Sequence, residues 1–254
     1  MRVLLVGDVV GKPGRRALQT LLPQLRRDHL VDLAIVNGEN IAGGFGLTVE
    51  TAQELLEAGA DVVTTGNHVW DQKEIIAYLD KEVPLLRPLN YPPGVPGRGY
   101  IRVGKTLVVN LIGRVFMNTL DCPFRAMDSL LSDMKDLPKV IVVDFHAEAT
   151  SEKYAMGWHL DGRVSAVIGT HTHVPTADVR ILPRGTAYAS DAGMVGPLNS
   201  VIGYSPQDVL QRFISQTPRR LNVHGGPVQF NSVLIEIDES TGKARAIQRL
   251  DTVV

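Results

Sequence analysis

His171 and His173 stand two residues apart in the stretch SAVIGTHTHVPTAD (165–178), directly after an apolar run. In an extended chain, residues i and i+2 project to the same side, so the two imidazoles are expected to face one point. Neutral imidazole is the commonest metal ligand among side chains, although a histidine after an apolar run also serves as a satisfied core residue. Four other apolar runs end on polar residues. The first stops at Gly7-Asp8, the second at Gly38-Glu39-Asn40, the third at Gly66-Asn67-His68, and KVIVVD at Phe145-His146. Taken singly, Asp8 reads as a helix cap, Asn40 and Asn67 as turn residues, and His146 as a core histidine. Taken together, three imidazoles, two carboxylates and two amide oxygens suit borderline divalent ions such as Mn, Fe, Zn or Co. Calcium prefers an all-oxygen set, and a structural zinc site needs thiolates that a chain with Cys122 alone lacks. Seven donors exceed one such ion but fit two that share a carboxylate. Paired metals clamp the attacking and leaving oxygens of a phosphoryl displacement.

The elements expected to carry these residues alternate between apolar runs and amphipathic segments. Arg2–Val6, Leu33–Asn37 and residues 61–65 read as strands, with helices over 13–29, 48–58 and 71–79 between or after them. That βαβαβ rhythm predicts parallel strands. In open α/β sheets, ligands bind beyond the carboxyl ends of the strands, where all seven donors fall. Residues 88–99 hold four prolines and three glycines and read as a surface loop. Strands resume at Tyr100–Val103, 106–111, 139–144 and 164–168, with a helix over 150–158. Residues 221–254 read as antiparallel strands, two of them joined by the turn ESTGK (239–243).

Composition narrows the classes. Of 254 residues, 44% are hydrophobic and 21% charged, which fits a soluble globular chain. Lys and Arg (26) nearly balance Asp and Glu (27), so no global charge attracts nucleic acid. No run reaches membrane-spanning length, and the single cysteine suits a reducing compartment; a cytoplasmic protein is expected. A homo-oligomer is also expected, without a residue to carry it.

GDVVG, NGEN, GNHVWD, DFHAEATSEK and GTHTHVPTAD follow the motif order of the calcineurin-like metallophosphoesterases. With DAGMVGP (191–197), the longer wording resembles the YmdB-like branch of that superfamily. The resemblance spans nearly the whole chain. It implies one domain over 1–254, built as a four-layer α/β/β/α sandwich of two mixed sheets flanked by helices. It implies a phosphodiesterase with two divalent or trivalent metal ions, acting through a metal-bound hydroxide on small cyclic nucleotides such as 2′,3′-cyclic AMP. Asp8, Asn40 and His173 would then hold one ion and Asn67, His146 and His171 the other, with Glu39 bridging. The chain departs from the wider pattern twice, with Val10 in place of a histidine and Glu39-Asn40 in place of an aspartate motif. The Asn40 oxygen is expected to replace the missing imidazole, which shifts preference toward iron or manganese and away from zinc.

By the same resemblance His68 would protonate the leaving oxygen. Asp71 is expected to cap the next helix rather than to serve His68. Glu148 and Glu152 are nearby carboxylates, Arg114 a surface residue, and His29, His159 and His224 structural. Two other readings are a nuclease acting on RNA or DNA and a non-catalytic, nucleotide-binding regulator. The lack of a basic, aromatic stripe counts against the first, and the full donor set with His68 against the second.

Overall fold

RVLLV at the amino terminus forms β1 (Arg2–Val6), and its apolar residues serve both faces of a sheet. Val3 and Leu5 point into one core, Leu4 and Val6 into another, as the two-residue period of a strand requires. The structure, a computed structural model, describes residues 1–254. It holds three mixed sheets, with helices packed against each of them.

In the first sheet β1 lies between β3 (Leu33–Asn37), parallel to it, and β13 (Ser232–Ile237), antiparallel. β4 (Val62–Thr64) extends it beyond β3, and β14 (Ala244–Arg249) beyond β13. The second sheet runs β5 (Tyr100–Val103), β6 (Thr106–Ile112), β7 (Val140–His146), β8 (Ala166–Thr170), β10 (Ala187–Ala189) and β9 (Arg180–Ile181). β6, β7, β8 and β10 are parallel. The third sheet joins β15 (Thr252–Val253), β12 (Val228–Phe230), β11 (Met194–Pro197) and β2 (Asp8–Val9).

Three apolar cores follow from these faces. Val3, Leu5 and Ile35 of the first sheet meet Val108, Val142 and Ile168 of the second in one core. Leu4, Val6 and Val36 pack against Leu18 and Leu22 of α1 (Gly11–Asp28) and Leu55 of α2 (Val49–Glu57). Val109, Val143 and Phe145 pack against Met127 of α4 (Pro123–Asp133) and Met156 of α5 (Thr150–Leu160).

The βαβαβ opening and the 88–99 loop are as the sequence predicts. Two sheets were expected and three are present, because Asp8–Val9 leaves the first sheet and pairs with Met194–Val195. The helix expected over 71–79 is reduced to α3 (Ile75–Leu79). KVIVVD continues as strand to His146, and α4 was not anticipated. The last helix, α6 (Pro206–Ser215), precedes the carboxyl-terminal strands. No helix is long and apolar enough to cross a membrane.

Candidate metal centre

β1, β3 and β4 of the first sheet and β7 and β8 of the second end at a shared edge, and all seven donors lie at or just beyond those ends. Asp8 opens β2, Glu39 and Asn40 follow β3, Asn67 and His68 follow β4, His146 closes β7, and His171 and His173 follow β8. Gly66 permits the approach of the two sheets, since a Cβ there would fall on the His146 ring. The histidine pair is not extended, as the alternation argument assumed. His171 and His173 both adopt positive φ (102° and 65°), so the chain turns left-handed beyond β8 and two non-glycine residues hold sparsely populated conformations.

The tautomer of each imidazole is set by the partner of its outer nitrogen. His173 Nδ1 donates to the Ile202 carbonyl at 2.9 Å, which leaves a lone pair on Nε2. The Asn40 amide donates to the Gly44 carbonyl at 2.8 Å, which turns Oδ1 toward His173 Nε2 at 3.1 Å. Two acceptors therefore face each other with no proton between them. The second group repeats the pattern. Thr170 donates its hydroxyl proton to Asp144 at 2.7 Å and faces His146 Nδ1 at 3.0 Å, so Nδ1 carries the proton and Nε2 the lone pair. His171 Nε2 lies 3.0 Å from Glu148, leaving its Nδ1 as an acceptor. His146 Nε2 then meets His171 Nδ1 at 3.0 Å, Asn67 Oδ1 at 3.2 Å and Glu39 Oε1 at 3.6 Å. Ligands bound about 2.1 Å from one ion stand roughly 3 Å apart, and these donors do.

The electrostatics agree. Burial pushes the pKa of His146 and His173 down, and burial with the neighbouring His173 lowers His171 to about 4, so all three are neutral donors at pH 7. Burial raises the Asp8 and Glu39 carboxyls well above the usual range, and Oδ1 of Asp8 and Oε2 of Glu39 have no hydrogen-bond partner. Orphaned, buried carboxylate oxygens are costly unless a cation compensates them. Histidine, aspartate and glutamate alone form no cage of three here. Asn40 Oδ1 stands beside His173 and Asn67 Oδ1 beside His146. Asp8 accepts from the His171 backbone N–H at 3.1 Å and lies 3.7 Å from His146 Nδ1. The residues fit a metal-binding role.

His68 sits beside these groups without joining them. Its Nδ1 lies 2.7 Å from Asp71, its backbone N–H donates to Glu39 at 2.6 Å, and its ring packs edge-on to Phe45. The expectation that Asp71 caps a helix is corrected, because α3 begins four residues later and Asp71 holds the His68 ring instead.

Residues 4–250 match the family described as YmdB-like protein. The chain belongs to that family. It is 47% identical to the 2′,3′-cyclic-nucleotide 2′-phosphodiesterase of Bacillus subtilis, with 98% of this chain and 96% of that one covered. A crystal structure of a hypothetical protein from Thermus thermophilus superposes with TM-score 0.93 at 46% identity, covering 100% of this chain and 99% of the other. A structure described as a novel phosphatase of Mycoplasma pneumoniae does so with TM-score 0.93 at 36% identity, covering 100% and 93%.

Several residues that support the centre of this YmdB-like protein were not singled out by sequence. Asp144 accepts from Thr64, Thr170 and Asn37 beneath the imidazoles, and burial raises it to about 6 despite those bonds. Lys153 and Asp191 form a buried ion pair at 2.7 Å, and the same Asp191 oxygen accepts from the backbone N–H and hydroxyl of Thr172, between the two histidines. The DAGMVGP wording contained Asp191, but nothing marked Lys153 as its partner. Glu148 meets His171, whereas Glu152 accepts from the backbone N–H groups of Arg114 and Val115 and holds that loop. His159 pairs with Asp128, outside the donor groups.

Proposed function

We propose that the protein is a metal-dependent hydrolase of small phosphoric diesters, with 2′,3′-cyclic nucleotides such as 2′,3′-cyclic AMP as its substrates. The observation that carries the metal dependence is the facing of proton-free acceptors, His173 Nε2 against Asn40 Oδ1 and His146 Nε2 against His171 Nδ1. The substrate class follows from the phosphodiesterase relative that the chain matches along almost its full length. Asp8, Asn40 and His173 would hold one ion, Asn67, His146 and His171 the second, and Glu39 would bridge. Iron or manganese suits this oxygen-rich set. When bound, the ions neutralise the phosphoryl oxygens and make water acidic enough to attack near neutral pH.

The chain's own residues supply the rest. Asp71 holds the proton on His68 Nδ1, which leaves Nε2 to carry a proton to the departing 2′ oxygen. Water oxygen becomes bonded to phosphorus, the P–O2′ bond breaks, and the products are a free 2′ hydroxyl and a 3′ phosphomonoester. Phe45 packs on the His68 ring and on Tyr204, narrowing its range of orientation. The three apolar cores also support a four-layer α/β/β/α arrangement, and the single cysteine fits work in the cytoplasm.

Turnover of 2′,3′-cyclic AMP by protein reloaded with manganese or iron tests the reading. Hydrolysis that is abolished by a chelator and restored by metal is expected. No turnover of any phosphodiester by metal-loaded protein would overturn it.

A further inference from the structure

A cleft of about 1120 Å³ opens between the 88–99 loop, the edge strand β5 and the start of α4. Arg87, Arg98, Arg102, Arg114 and Arg125 line it, against a single acidic residue, Asp121. None of the five arginines lies within ion-pair distance of a carboxylate, whereas eight of the thirteen arginines elsewhere in the fold do. Arg87 is buried with its guanidinium on the carbonyls of Pro88 and Pro96. Arg102, Arg114 and Arg125 are exposed. Unpaired arginines gathered from four separate segments into one concavity are a site for several anionic groups, since their planar forks match phosphate oxygens.

The cleft also has π faces and a direction. Tyr91 and Tyr100 line it, and Tyr100 shares its strand face with Arg102. One end lies toward the metal centre. Arg114 follows Gly113, whose N–H donates to the His146 carbonyl at 2.9 Å, and the Tyr91 ring lies 5.4 Å from Trp70, two residues beyond His68. The other end lies at Arg102, opposite Leu107 in register. At about 3.3 Å per residue along β6 the cleft runs roughly 20 Å from the centre. A mononucleotide has one phosphate and cannot engage this length.

We propose that the cleft binds a single-stranded nucleic acid and presents its 3′-terminal cyclic phosphodiester to the metal centre, so that strand ends are preferred over free mononucleotides. Stacking on tyrosine and arginine planes, with phosphates held by unpaired arginines, is the recognition mode of single strands. It also answers the sequence-based objection to nucleic acid. The net charge is near zero, but five of the ten arginines without a carboxylate partner are collected in one place. What happens at the strand's end rests on the phosphodiesterase reading above, while strand binding does not.

Anisotropy of a labelled oligoadenylate ending in a 3′-monophosphate, measured on the metal-loaded protein, tests the binding. With each phosphate contact contributing about −0.7 to the log–log salt slope, a slope of roughly −3 is expected. The double variant Arg102→Ala/Arg125→Ala removes two exposed side chains and should weaken binding about tenfold or more. The kcat/KM for an oligoadenylate ending in a 2′,3′-cyclic phosphate should fall by a similar factor relative to that for 2′,3′-cyclic AMP. Unchanged binding in the double variant would overturn the proposal, as would equal displacement of the strand by polyglutamate, which would assign the cleft to an acidic protein. Loss of turnover on both substrates with strand binding intact would contradict the phosphodiesterase reading and leave the strand site standing.

Discussion

His68 is joined to the site on two sides, through its backbone N–H to Glu39 and through Nδ1 to Asp71. If Nε2 delivers the proton, His68→Ala should keep its metals and lose about 10²–10⁴-fold in kcat on 2′,3′-cyclic AMP. The loss should shrink for a nitrophenyl phosphodiester, whose leaving group departs with little protonation. Equal losses on both substrates would make His68 an orienting residue. Asp71→Asn should reproduce part of the same selective loss. Glu39→Gln should lower metal content and activity together, because a neutral amide cannot bridge cations as a carboxylate does; full metal content with wild-type turnover would remove Glu39 from the centre. His171 bears on pH. Its folded value of about 4 lies below the ordinary 6.5, so its contribution to stability is present above pH 6.5 and lost as the pH falls toward 4. Metal-stripped protein should therefore lose up to about 3 kcal/mol relative to its His171→Ala variant between pH 7 and pH 4. Glu148, 3.0 Å away, favours the charged ring and makes that figure an upper value. Urea melts at the two pH values check it, and a constant difference would contradict it.

β8 and the left-handed turn after it depend on a contact from another element. Asp191, before β11, takes both polar hydrogens of Thr172 and is itself neutralised by Lys153 from α5. Lys153→Met would leave a buried carboxylate without its cation, which costs about 3–5 kcal/mol. The expected result is a lower unfolding temperature together with reduced metal content, since the turn presents both histidines. Wild-type metal content in a folded Lys153→Met protein would show that the turn holds itself. This device was hidden in the sequence, because Lys153 and Asp191 are 38 residues apart and each reads alone as a surface charge. The histidine pair was legible as a pair, but its geometry was not. Alternation put both rings on one side, whereas positive φ at both residues sends His173 to Asn40 and His171 to His146.

At the scale of the molecule, two sheets meet face to face and their carboxyl edges bring donors from β1, β3, β4, β7 and β8 to one place. That convergence could be read from sequence because each parallel strand is a continuous apolar run that ends abruptly on polar residues. The third sheet could not, because β2, β11, β12 and β15 are two to four residues long and carry no periodicity. The arginine cleft escaped for the same reason of distance, its members being contributed by separate loops, strands and α4. If the centre holds ions as proposed, chelation should lower the unfolding temperature, since Asp8 and Glu39 would keep buried oxygens with no partner. The most direct measurement of the central claim is metal content per chain in the purified protein and in its His173→Ala and His146→Ala variants. About two ions in the wild type and about one in each variant is the predicted result. A folded wild-type protein that turns over 2′,3′-cyclic AMP with no bound metal would contradict it.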